Sequence, residues 1–112
     1  MSSLFDPAFV AGGLLPINAS GGALAQAVLG ASCVTDGAGL WDCTIADPIL
    51  DAQALITYGG GGVGPAAGIF VECSTAQVNG KMVVSVRGRR RDTGATITAN
   101  IWFKVERMPV NT

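Results

Sequence analysis

"VRGRRRDTGATITANIWFKVERM", residues 86–108, holds six of the seven Lys and Arg side chains in this 112-residue chain. It reads either as a basic arm for nucleic acid or as the turn and flanking strands of a structural sandwich. Periodicity separates the two. Ile97, Ala99, Ile101, Phe103 and Val105 alternate with Thr96, Thr98, Asn100, Trp102 and Lys104. Successive strand side chains point to opposite faces, so a repeat of two with one apolar face marks a half-buried strand. "KMVVSVRG" before it is similar, and "RRRDTG" between them sets Asp and Gly where a hairpin turn favours them. Arg89, Arg90 and Arg91 then fall at a hairpin end, and Trp102 falls on the outer face, where a lone aromatic packs against another chain or a loop.

Working outward, "TDGAG" (35–39), "ADP" (46–48), "GGGGVGPAAG" (59–68), "QVNG" (77–80) and "DTG" (92–94) are turn signals. They separate strand candidates at 23–34, 40–45, 53–58, 68–74, 81–88 and 95–107, which predicts an all-β, antiparallel β-sandwich. "GGALAQAVLGA" alone has helical flavour, and its glycines and its run into "SCV" argue against a helix. The first hairpin yields a register. If "GAG" (37–39) is a three-residue loop closed by Asp36 opposite Leu40, Cys33 lies directly across from Cys43. Trp41, Cys43 and Ile45 then join Ala31 and Cys33 in the core, together with Ile101, Phe103 and Val105.

The length fits one domain. Hydrophobic residues make up 49% of the chain and charged residues 13%. A domain of this size leaves about a third of its unfolded-chain surface exposed, so part of that apolar excess is expected to face partner chains. Charge is lopsided. Residues 1–80 have no base and six acids (Asp6, Asp36, Asp42, Asp47, Asp51 and Glu72), whereas residues 81–112 carry seven bases and two acids, a balance of +5. This points to an acidic partner or to self-complementarity between subunits, with the arginines and Trp102 at a subunit or partner contact. No apolar run is long enough for a transmembrane helix, and the N-terminus lacks the basic flank of a signal peptide. Folding in the cytoplasm is the expectation, with no membrane partner.

Catalysis is poorly supplied. Without histidine the chain lacks the commonest general base and every Ser-His or Cys-His pair. "GGGGVGP" is not followed by the Gly-Lys-Ser/Thr of a phosphate loop. Asp47 and Asp51 flank "PIL" as a conceivable carboxylate pair, and acids beside turns are commonplace. Cys33, Cys43 and Cys73 lack metal-ligand spacing and read as three small buried hydrophobes; a Cys33–Cys43 disulfide is the alternative. The expectation is no enzyme, no cofactor and no metal. Phosphate binding by the arginine run is a minority reading, since the protein as a whole is slightly acidic.

Three segments in order carry a resemblance: "GAGLWDCTI", "ADPILDAQALITY" and "KMVVSVRGRRRDTGATITANIWFKVER". Over about residues 20–107 the chain resembles the compact jelly-roll heads of the tumour necrosis factor and complement-head type, as found in phage tail fibres, head fibres and capsid decoration proteins. The resemblance implies a jelly-roll-like sandwich (residues 21–112) that trimerises around a threefold axis, with Trp41 and Phe103 in its core. It also implies an extended N-terminal docking arm (residues 1–20), whose Leu4, Phe5, Phe9, Val10, Leu14 and Leu15 would bury against a particle. The function implied is a non-enzymatic virion structural protein, a capsid decoration or vertex head. The alternative is a fibre knob that binds a host glycan or protein through the glycine-rich loop at 59–64 and exposed aromatics.

Overall fold

Alternating apolar residues, and glycines where strands end, give two antiparallel sheets packed face to face. The computed structural model describes residues 7–15, 27–61, 68–97 and 99–109. Along the chain run β1 (Phe9–Leu15), β2 (Ala27–Leu29), β3 (Ala31–Thr35), β4 (Leu40–Ile45), a 3-10 turn (Asp51–Gln53), β5 (Ala54–Gly61), β6 (Ile69–Val78), β7 (Lys81–Arg90), β8 (Thr96–Ile97) and β9 (Asn100–Arg107). One sheet has the order β2-β1-β9-β5; the other has β3-β4-β7-β6, with β8 paired to β7. The chain changes sheet between β2 and β3, β4 and β5, β5 and β6, and β8 and β9.

The inward faces meet in one apolar layer. Trp41, Cys43 and Ile45 from β4, Met82, Val84 and Val86 from β7, and Ile101, Phe103 and Val105 from β9 are all buried, joined by Val10, Ala11 and Leu15 from β1. No polar or charged side chain among the described residues is buried, as expected for a core held by packing alone.

Three expectations need correction. The segment Phe9–Leu15 is a strand inside the sandwich, paired with β2 on one side and β9 on the other. A docking arm over residues 1–20, with the domain starting at 21, is therefore overturned for that stretch; Leu4 and Phe5 lie outside the described residues. Gly12 explains how so glycine-rich a segment pairs. Its φ is +147°, and an added Cβ would lie 2.7 Å from the Cα of Lys104 on β9, an approach only glycine permits. Val10 is the extra residue of a bulge between Phe9 and Ala11, which turns its side chain into the core.

Second, the candidate at 23–34 breaks at Gly30 (φ +74°), so β2 and β3 belong to different sheets. Third, the closing hairpin is short. β7 pairs with β8 only at Gly88↔Ile97 and Arg89↔Thr96, and β9 then crosses to the other sheet. The partners of β7 along its length are β4 and β6. "QVNG" also narrows to a two-residue turn, Asn79 (φ +52°) and Gly80 (φ +77°), closed by Val78 opposite Lys81. Both central residues have positive φ, the turn that matches strand twist.

Candidate functional site

The outward faces of the two sheets differ in chemistry. On the β2-β1-β9-β5 sheet, Leu14 pairs with Trp102 and Trp102 with Gly59, while Gly12 pairs with Leu29 and Lys104. Leu14 is 60% exposed, Leu29 69%, Leu55 43% and Trp102 42%. The Trp102 indole lies over Gly59, where an added Cβ would sit 2.8 Å from its Cζ2. Trp102 thus stands on the outer face and covers backbone that no side chain protects. The Lys104–Glu106 pair (3.4 Å) is the charged element of this face.

The outward face of the β3-β4-β7-β6 sheet carries more polar and charged side chains, with Val34, Phe70 and Val78 exposed among them. Asp42, Ser85 and Ser74 align across three strands, with Leu40, Arg87 and Glu72 in the next row and Arg89 opposite Phe70 beyond it. Ser85 donates a hydrogen bond to Asp42 (2.6 Å). The basic cluster is largely satisfied within the chain. Arg89 pairs with Glu72 at 2.8 Å and donates to the Gly94 carbonyl at 2.7 Å. Arg90 donates to both carboxylate oxygens of Asp92, at 3.0 and 2.8 Å. That fork holds Asp92 below the usual carboxylate range and raises Arg90. Arg107 stands 3.9 Å from Asp47. The charge lopsidedness along the sequence is thus cancelled in part by strand pairing, which sets C-terminal bases beside N-terminal acids. Arg87 and Arg91 have no carboxylate within salt-bridge distance among the described residues.

A shallow groove of about 460 Å³ runs along this side, lined by Tyr58 from β5, Glu72 and Ser74 from β6, and Ser85, Arg87 and Arg89 from β7. Sequence reading put the arginines at a contact but missed Tyr58, Ser74, Ser85 and Arg87. The alternation of Lys81, Val83, Ser85, Arg87 and Arg89 was the available signal for the β7 members. Gly59, Gly60 and Gly61, read as part of a binding loop, belong to β5, and residues 62–67 lie outside the described residues.

The first hairpin has the register read from its loop: Cys33 is opposite Cys43, and Asp36 N–H donates to the Leu40 carbonyl at 3.2 Å. The Asp36 carboxylate accepts from the Ala38 and Leu40 N–H groups at 2.8 and 3.1 Å, which holds its carboxyl below the ordinary range. Cys33 and Cys43 are thiols at directly paired positions, with no disulfide. The interaction of the two thiols lowers Cys33 and, with burial, raises Cys43; burial also raises Cys73. Asp47 and Asp51 have separate partners. Asp51 accepts from Thr75 Oγ1 (2.9 Å) and Gln77 Nε2 (3.1 Å), while Asp47 lies by Arg107. Among the described residues no three His, Cys, Asp or Glu side chains gather as a metal site.

Comparisons with protein-family models, curated proteins and solved structures found no match to this chain.

Proposed function

We propose that this chain is a non-enzymatic virion structural protein, a capsid decoration, vertex or head-fibre type protein that trimerises and docks on a phage particle. The observation that carries this reading is the apolar outward face formed by Leu14, Leu29, Leu55 and Trp102. Exposed leucines and a tryptophan on one sheet face are the kind of surface that a subunit contact covers. The sheet crossovers, which set β1 beside β9 and β4 beside β7, support a jelly-roll-like reading of the sandwich. Because Arg89 and Arg90 have partners within the chain, apolar contact is the main term expected to hold the subunits.

Light scattering of the purified protein should give a mass near three times 11.3 kDa, stable to high salt. Trp102→Asp paired with Leu14→Asp should return a folded monomer. A wild-type monomer at every concentration would remove the reading, and dissociation by salt would move the contact to the charged face.

A second reading, a knob that binds a host glycan, draws on the groove between Tyr58 and Arg87. A guanidinium, two serine hydroxyls and an amphipathic aromatic are groups that engage sugar hydroxyls and carboxylates. On a glycan array, Arg87→Ala should abolish any wild-type signal. Absence of wild-type binding leaves this reading without support.

A further inference from the structure

The β3–β4 hairpin places two thiols in a relation that its hydrogen-bond ladder defines. Asp36 N–H donates to the Leu40 carbonyl at one end, and Ala46 N–H donates to the Gly30 carbonyl at the other. Between them the pairs are Thr35↔Trp41, Val34↔Asp42, Cys33↔Cys43, Ser32↔Thr44 and Ala31↔Ile45. Antiparallel ladders alternate hydrogen-bonded with non-hydrogen-bonded pairs. Counting inward from either end puts Cys33 and Cys43 at a non-hydrogen-bonded pair. Cα atoms at such pairs approach to about 4.5 Å with side chains turned together, within the roughly 4.4–6.8 Å that a disulfide spans.

Access to them is unequal. β3 is the edge strand of its sheet, and Cys33 is half-buried there, whereas Cys43 on β4 is fully buried. Cys73 shares the inward face, but β7 intervenes: Cys43 lies opposite Val84 and Cys73 opposite Val86. One pair can close within the chain, and the third thiol is too far across the sheet to compete.

We propose that Cys33 and Cys43 are a modification site for small-molecule disulfides of the glutathione type, which convert the pair to a disulfide that locks the edge strand to the sheet. The Cys33 thiolate attacks one sulfur of the reagent, forming a mixed disulfide and releasing the other half as a thiol. The Cys43 sulfur then attacks Cys33, breaking the mixed bond and releasing the second half. Two protons pass from the protein thiols to the two released thiols; the protein loses two electrons and the reagent gains them. Cys33 is the entry thiol and Cys43 the resolving one.

The test incubates the native protein with oxidised glutathione, followed by alkylation of remaining thiols, mass spectrometry and thermal melting. Expected are a monomolecular product lacking two hydrogens, a peptide map joining Cys33 to Cys43, Cys73 still alkylated, and Tm raised by on the order of 5–10 °C and reversed by reductant. Cys43→Ala should trap glutathione on Cys33, Cys33→Ala should take up none at Cys43, and Cys73→Ala should close as the wild type does. The Cys73→Ala variant keeps the test informative if replacing the buried Cys43 prevents folding. A mixed disulfide that persists on wild-type Cys33, a bond to Cys73, cross-linking between chains, or a lowered Tm would each overturn the proposal.

Discussion

Deletion of residues 2–15 is expected to give a chain with no cooperative thermal transition and no dispersed amide spectrum. β1 sits between β2 and β9, so its removal leaves β2 without a partner and opens one side of β9. It also removes Val10, Ala11 and Leu15 from the core and exposes Ile101, Phe103 and Val105 behind them. Lost burial of the Val and Leu side chains alone amounts to about 3–6 kcal/mol. Six paired positions along β9 lose their neighbours as well, with a net loss of about 1 kcal/mol for each hydrogen bond broken. Domains have only about 5–15 kcal/mol of net stability, so the loss is of the same size as the whole. An N-terminal arm would predict the opposite, a folded head that fails to attach. Circular dichroism with a thermal melt separates the two, and native strand content in the truncated chain would show β1 to be dispensable.

The difference between those outcomes traces to what local sequence can encode. "LWDCTI" and "NIWFKVER" state their strands openly, because every second residue is apolar and turned inward. The Cys33–Cys43 register was legible from one loop, since a three-residue closure fixes every pair behind it. "FVAGGLL" gave no such signal. Its glycines look like flexibility in one dimension, whereas in the sheet Gly12 meets β9 where no Cβ fits. Breaks at Gly30 and between β8 and β9 were equally hidden, because a change of sheet is decided by which long-range partner wins. For the candidate site, Trp102 on an outward face followed from alternation. Its neighbour Leu14, and Leu29 and Leu55 on the same face, come from other strands and enter only with the sheet order.

Phe103→Ala is expected to be the most damaging single truncation on β9. The side chain is 1% exposed, among the largest in the core, and its cross-strand neighbours are Gly13 on β1 and Tyr58 on β5. Gly13 contributes no side chain, so nothing on that side can move in to fill a cavity. Large-to-small changes at such sites cost about 3–5 kcal/mol, and with a urea slope of about 2 kcal/mol per molar the unfolding midpoint should fall by roughly 2 M. Trp102→Ala, one residue earlier, provides the control. Its ring is 42% exposed and shields Gly59 rather than filling the core, so its cost to the isolated chain should stay near 1 kcal/mol. The larger aromatic should matter less to folding, and its removal should instead weaken association measured by light scattering. Equal midpoint losses for the two variants would contradict the assignment of one face to the core and the other to contact.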